Sequence, residues 1–182
     1  RRSSDLLDLH QHTVEGLLVR PAFLDRQVGE TPRDWGFDEY VTDPTAGGWF
    51  WKDSYEKNGE QIHAGKEVYN PDIIQAYSID FITRNKEKSF FLYYAMHLVH
   101  GPILRTPDTK EGSDLYEDNI AYMDKQVGEV VAEVEKLGLR EKTLIIFTAD
   151  NGTALSYPTT IGGRKINGQK ASLLEGGSRV PF

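Results

Sequence analysis

Cysteine is absent from all 182 residues. That excludes a disulfide framework, a cysteine zinc ribbon, an iron–sulfur centre and a cysteine nucleophile within this stretch, and leaves the redox compartment unread. Cations are the scarcer charge, 21 Lys and Arg against 28 Asp and Glu for a net charge of −7, and they form no run. A nucleic-acid footprint needs clustered Lys and Arg, so that class drops out. Long apolar runs are missing as well. The longest, Phe90 to Met96, is far short of the roughly 20 residues that a membrane span requires. Arg1-Arg2-Ser3-Ser4-Asp5 lacks the unbroken apolar stretch of a signal peptide. What remains is the profile of one soluble globular unit, long enough to bury most of its apolar surface. The chain begins without Met and stops at Val180-Pro181-Phe182, and it reads as a piece of something longer.

Residues 1–33 show weak periodicity, with His10 and His12 among scattered leucines. From Asp34 to Asn70, Gly, Asp, Trp and Tyr dominate (Trp35 to Tyr40, then Gly47-Gly48-Trp49-Phe50-Trp51), which suggests loops and short strands with aromatic packing. The signal then sharpens. Asn70-Pro71-Asp72 combines an N-cap, a proline in the first helical position and an acid in the first turn. Ile73, Ile74, Tyr77, Phe81 and Ile82 follow at helical spacing, predicting a helix over Pro71 to Asn85. Ser89 to Ala95 is an apolar run of strand length that suits burial on both faces. A loop from His97 to Gly112 follows. Asp114 to Leu137 then carries apolar residues at helical spacing, with Gly138 as the stop. Thr143 to Thr148 reads as a second buried strand running into Ala149-Asp150-Asn151-Gly152. Helix, strand, helix, strand with short joints predicts an α/β fold, a mostly parallel sheet sandwiched by helices. Ligands of such sheets gather at the carboxyl ends of the strands, where both His97/His100 and Asp150/Asn151 stand.

Asp150 and Asn151 offer a carboxylate and an amide oxygen to one point, hard ligands that suit Ca²⁺ or Mg²⁺ but are too few to hold either alone. The same residues also read as an Asn-Gly turn closing the strand. Asn151-Gly152-Thr153 matches a glycosylation sequon, a short and frequent pattern. His97 and His100 read either as one packed and one solvated ring or as functional imidazoles. Zinc suits them less, because the segment is loop rather than helix and no third His is near. His63 is isolated and reads as structural. Glu175-Gly176-Gly177 with Lys170 and Arg179 is a glycine-rich mixed-charge turn, not a P-loop, since the Gly-Lys-Ser/Thr order is absent.

Several of these motifs fall in a familiar order: Asn70-Pro71-Asp72, the Ser89 to Tyr93 strand, His100-Gly101-Pro102, Tyr116 to Gly128, Thr143 to Gly152, Lys170, and Glu175-Gly-Gly-Ser-Arg179-Val-Pro181. Together they resemble the sulfatase family of the alkaline-phosphatase-like superfamily, over about Pro32 to Phe182. The resemblance implies a single partial sulfatase-like catalytic domain over residues 1–182, with 34–182 matched, 1–33 poorly matched and both ends incomplete. It implies that Asp150 and Asn151 are two calcium ligands, with Mg²⁺, Zn²⁺ or Mn²⁺ as alternatives. By the same resemblance His100 and Lys170 are catalytic and contact the sulfate ester, while Glu175 and Arg179 brace the loop that presents Lys170. Such chemistry is coherent: a dication polarises sulfate oxygens, a lysine ammonium stabilises charge growing on the sulfuryl group, and imidazole or ammonium protonates the departing alkoxide. The expected partner is a small-molecule or carbohydrate sulfate ester, and family members are commonly secreted, periplasmic or lysosomal.

Departures from the family pattern are equally specific. The family builds a formylglycine nucleophile from Cys/Ser-x-Pro-x-Arg, but here there is no Cys, and Ser156-Tyr157-Pro158 has the wrong following residues. The first pair of metal acids is missing. Where the family shows Gly-Lys-Trp-His-Leu-Gly, the nearest frame is Leu24-Asp25-Arg26-Gln27-Val28-Gly29, without the Lys or the His. Three expectations follow: a sulfuric ester hydrolase carrying only part of its active site here, a phosphate or phosphonate esterase of the same superfamily, or a catalytically inactive fragment.

Overall fold

The computed structural model describes residues 15–21, 31–43, 50–154, 157 and 160–182. His10, His12, the Leu24 to Gly29 frame, Gly47 to Trp49, Ser156 and Pro158 lie outside the described residues. The chain forms two compact units, Arg1–Glu141 and Lys142–Phe182.

In the first unit β1 (Glu15–Pro21), β2 (Glu39–Asp43), β3 (Trp51–Lys57), β4 (Glu60–Tyr69), α1 (Asn70–Arg84), β5 (Phe90–Tyr94) and α2 (Leu115–Lys136) follow in order, with short 3₁₀ turns at Pro32–Trp35 and Arg140–Lys142. The strands form one sheet ordered β4-β3-β2-β1-β5. β1 is parallel to β2 and β5, whereas β2–β3 and β3–β4 are antiparallel. The sheet is therefore mixed, not mostly parallel. For the β3–β4 pair the cause is local: Asn58-Gly59, with φ of 54° and 90°, joins the two strands. A two-residue turn with both residues at positive φ closes a hairpin and can only join antiparallel strands. That Asn-Gly pair was the available signal in the sequence.

Both long helices form where the apolar spacing places them. α2 is capped by Asp114, whose carboxylate accepts from the Tyr116 and Glu117 amides, satisfying two of the orphan donors of the first turn. α1 differs in detail. Its N-cap is Tyr69, and Asn70 is the first helical residue, buried, with its backbone N–H donated to the Phe50 carbonyl at 2.7 Å. Burial inside the unit, not capping, is what Asn70 supplies.

One face of the sheet packs on α1 through Val41, Ile74, Tyr77 and Phe81, joined by Phe90, Leu92 and Tyr94. Glu39 locks this layer: Tyr77 donates to it at 2.6 Å and Arg84 grips it with two N–H groups at 3.0 and 2.9 Å. The Arg84 bonds hold the Glu39 carboxyl below its ordinary range despite partial burial. Burial and the neighbouring Glu39 carboxylate push the Tyr77 phenol up to about 12. The other face of β5 is open, with Phe91 54% and Tyr93 50% exposed, so β5 is not buried on both faces. A second cluster, Phe50, Tyr69, Leu98 and Tyr122 with Trp51, Val99 and Met123, ties the start of β3 and the loop after β5 to α2.

In the second unit, residues 143–149 run without regular structure, and Leu144 and Ile146 are 84% and 61% exposed. The expected strand Thr143–Thr148 is therefore not formed. An apolar strand is stable only with ladder partners beside it and layers against its faces, and the described residues of this unit supply neither. The unit is instead held by β6 (Thr160–Ile161) and β7 (Arg164–Lys165), closed by Gly162-Gly163 at φ 56° and 77°, and by the single turn α3 (Glu175–Ser178).

Candidate active site

His100 is presented by the loop that leaves β5. Leu98 is buried in the second cluster on one side of it. On the other side Asn119 donates to the Leu104 carbonyl at 2.7 Å, and the Trp51 indole N–H donates to the Arg105 carbonyl at 2.9 Å. The loop is pinned at both ends and His100 stands exposed between the pins. Its Nδ1 lies 2.7 Å from the Gly101 carbonyl. A carbonyl only accepts, so the Nδ1–H donates in this contact. His97, by contrast, is buried with its ring edge-on to Phe50 at 6.4 Å, which fits the packed member of the pair.

In the second unit three short segments are laced together by main-chain bonds. Gly152 donates to the Gly177 carbonyl at 3.0 Å, Gly176 to Asn167 at 2.8 Å, and Lys170 to Thr153 at 2.8 Å. Asp150-Asn151, Lys170 and the Glu175-Gly-Gly turn thus share one cluster of loops. The glycines allow this approach: a Cβ at Gly177 would stand 1.9 Å from the Ser172 carbonyl oxygen. Lys170 itself sits in a Gln169–Ser172 turn whose next residue, Ala171, has φ 68°. Glu175 accepts from Arg164 of β7 at 3.3 Å and from Arg179, fastening the hairpin to the turn. Glu175 and Arg179 are legible in the sequence and Arg164 is not, because a pairing between positions eleven apart in a loop leaves no periodic trace.

The metal donors fit only in part. Asn151 donates its amide to Asp150 at 2.7 Å, which leaves the Asn151 amide oxygen and the second Asp150 oxygen as hard ligands. Calcium takes about six to eight oxygens, and among the described residues no group of three or more His, Cys, Asp or Glu could hold an ion. These residues do not complete a calcium site by themselves. His100 belongs to the first unit and Lys170, Asp150 and Asn151 to the second.

The family model for sulfatases matches residues 20–182. The chain belongs to the sulfatase family. Similar relatives include the mouse N-acetylgalactosamine-6-sulfatase, 25% identical over 94% of this chain and 39% of that enzyme. Another is the N-acetylgalactosamine-6-O-sulfatase of Bacteroides thetaiotaomicron, 34% identical over 61% of this chain and 24% of that protein. Among solved structures, Ps i-CgsB in complex with k-i-k-neocarrahexaose matches with a TM-score of 0.76 at 25% identity, over 98% of this chain and 45% of that one. This sulfatase chain spans less than half the length of each. The likeness supports the alkaline-phosphatase-like fold expected of the family, while the local sheet is mixed. No helix among the described residues is long and apolar enough to cross a membrane.

Proposed function

We propose that this chain carries part of the active site of a sulfuric ester hydrolase, one partial catalytic domain acting on a carbohydrate sulfate ester. The supporting observation is the loop cluster that joins Lys170 to Asp150-Asn151 through the Lys170–Thr153 and Gly152–Gly177 main-chain bonds. In this reading the Lys170 ammonium stabilises charge on the sulfuryl oxygens, and His100 contacts the ester and delivers a proton to the leaving oxygen. Asp150 and Asn151 supply two oxygen ligands toward Ca²⁺, with Mg²⁺, Zn²⁺ or Mn²⁺ as alternatives. A carbohydrate ester is favoured because the relatives include enzymes named for N-acetylgalactosamine 6-sulfate. The complete lack of cysteine and of the Cys/Ser-x-Pro-x-Arg motif favours a second reading, in which the chain by itself is inactive.

Binding separates these readings. An aryl sulfate and an aryl phosphate are titrated into the chain with each metal present, followed by NMR shifts of the Lys170 and His100 signals and by thermal shift. The reading expects calcium-supported sulfate binding that weakens about tenfold in Lys170→Ala and His100→Ala, the scale of a lost charge-assisted bond. Tighter binding of the phosphate with zinc or manganese moves the assignment to a phosphoester substrate. No stabilisation by millimolar calcium and no binding of either ester leaves the inactive fragment.

A further inference from the structure

Arg105 lies on the His100 loop and has no part in the proposed chemistry. Its guanidinium carbon lies 5.0 Å from the centroid of the Trp51 ring, and its own carbonyl accepts the indole N–H of that ring at 2.9 Å. Trp51 therefore holds Arg105 twice, once at the main chain and once across the face of the cation. The platform beneath is fixed: Trp51 packs on Tyr69 at 5.0 Å between centroids and belongs to the buried cluster of Phe50, Tyr69, Leu98 and Tyr122. The residues next to Arg105 are tied down as well, Leu104 by Asn119 and Thr106 by Thr109.

Among the described residues Arg105 has no carboxylate partner. Asp108, the nearest acid along the chain, is paired with Lys125 at 2.6 Å. A chain of net charge −7 has acids to spare, yet among the described residues none is set against this exposed guanidinium. Stacked arginines keep their planar fork of N–H donors aimed outward, a geometry that matches a tetrahedral or planar oxyanion. Arg105 follows His100 by five positions, and five residues span at most about 18 Å.

We propose that Arg105, stacked on Trp51, forms an anion subsite that binds a second sulfate on a polyanionic carbohydrate ester, while the scissile ester lies at His100. The assignment rests on the reading of His100 as the ester contact and goes beyond it by selecting substrates that carry more than one sulfate. Trp51 acts as the positioning residue for Arg105.

The test uses the full chain with two probes, a hexasaccharide bearing several sulfates and the same hexasaccharide bearing one, measured by calorimetry. Arg105→Ala and Arg105→Gln should each weaken the densely sulfated probe about tenfold and change the singly sulfated probe less than twofold. Trp51→Leu should weaken the dense probe by a smaller factor with the arginine still present. Equal loss for both probes, no loss in either Arg105 variant, or no binding of the dense probe to the unaltered chain overturns the subsite. The two readings fail separately. If His100→Ala changes neither probe while Arg105→Gln still weakens the dense one, the anion subsite stands and the ester assignment of His100 falls. If His100→Ala weakens both and the Arg105 variants are silent, the reverse holds.

Discussion

Gly152 lies so close to Gly176 that a Cβ on Gly152 would stand 1.8 Å from the Gly176 carbonyl oxygen. The contact is backbone against backbone, so no side-chain rotation relieves it. It brings the segment bearing Asp150 and Asn151 against the Glu175-Gly-Gly turn, and the Gly152–Gly177 hydrogen bond closes it.

Gly152→Ala should open that loop cluster, at a cost of about 2–4 kcal/mol in local stability, because the clash must be removed by moving main chain. Hydrogen exchange at the Gly152, Lys170 and Gly176 amides reads the effect, and unchanged protection would refute it. Gly128 is the control. It lies within α2 with nothing within 4 Å of an added Cβ, and Gly128→Ala should stabilise the protein by about 1 kcal/mol through helix propensity.

Ala171 holds φ 68° beside Lys170. A Cβ in the left-handed region costs roughly 1–2 kcal/mol that glycine avoids. Ala171→Gly should therefore stabilise the Gln169–Ser172 turn, offset in part by the entropy that glycine adds to the unfolded chain. Slower amide exchange at Ser172 is the expected result.

Glu39 should make stability rise with pH in the acid range. Its folded pKa lies below its ordinary 4.5, chiefly through the Arg84 bonds. The contribution is present above the unfolded value and is lost as pH falls through the folded one. Glu39→Gln should cost about 1–2 kcal/mol at pH 7, a figure discounted for the part-exposed Arg84. The gap between the two proteins should close below about pH 4, as urea midpoints across pH 2.5–7 will show.

Asp72 should act with the opposite sign. Burial raises its pKa above the ordinary 3.8, while Tyr122, Lys125 and Gln126 oppose that rise and Glu129 adds to it. Its favourable contribution is full below the unfolded value and is lost as pH rises through the raised folded one. Asp72→Asn keeps an acceptor for Tyr122 and Gln126, which donate to Oδ1 at 2.7 and 3.1 Å, and removes the titration. The stability of Asp72→Asn relative to the unaltered protein should therefore grow between pH 4 and 7. A constant difference would show that Asp72 does not titrate in this range.

The two long helices were legible in the sequence because a repeating apolar stripe needs only neighbours three and four residues apart. Asn58-Gly59 carried a hairpin that the aromatic-rich composition around it obscured. Asp150, Asn151, His100 and Lys170 were reachable only as motifs in order, since none of them has a local pattern that separates a ligand from a turn residue.

By itself the sequence determined the helices α1 and α2, the strand after α1, the exclusion of cysteine chemistry within these 182 residues and the family to which the motifs belong. Tertiary structure decided the rest. Whether an apolar run becomes a strand depends on partners that no local pattern records, and so Phe90–Tyr94 pairs with β1 while Thr143–Thr148 does not form a strand. The stack of Arg105 on Trp51 and the joining of Lys170 to Thr153 are contacts across 54 and 17 residues. Packing and hydrogen bonding choose such contacts only after the chain has closed those distances.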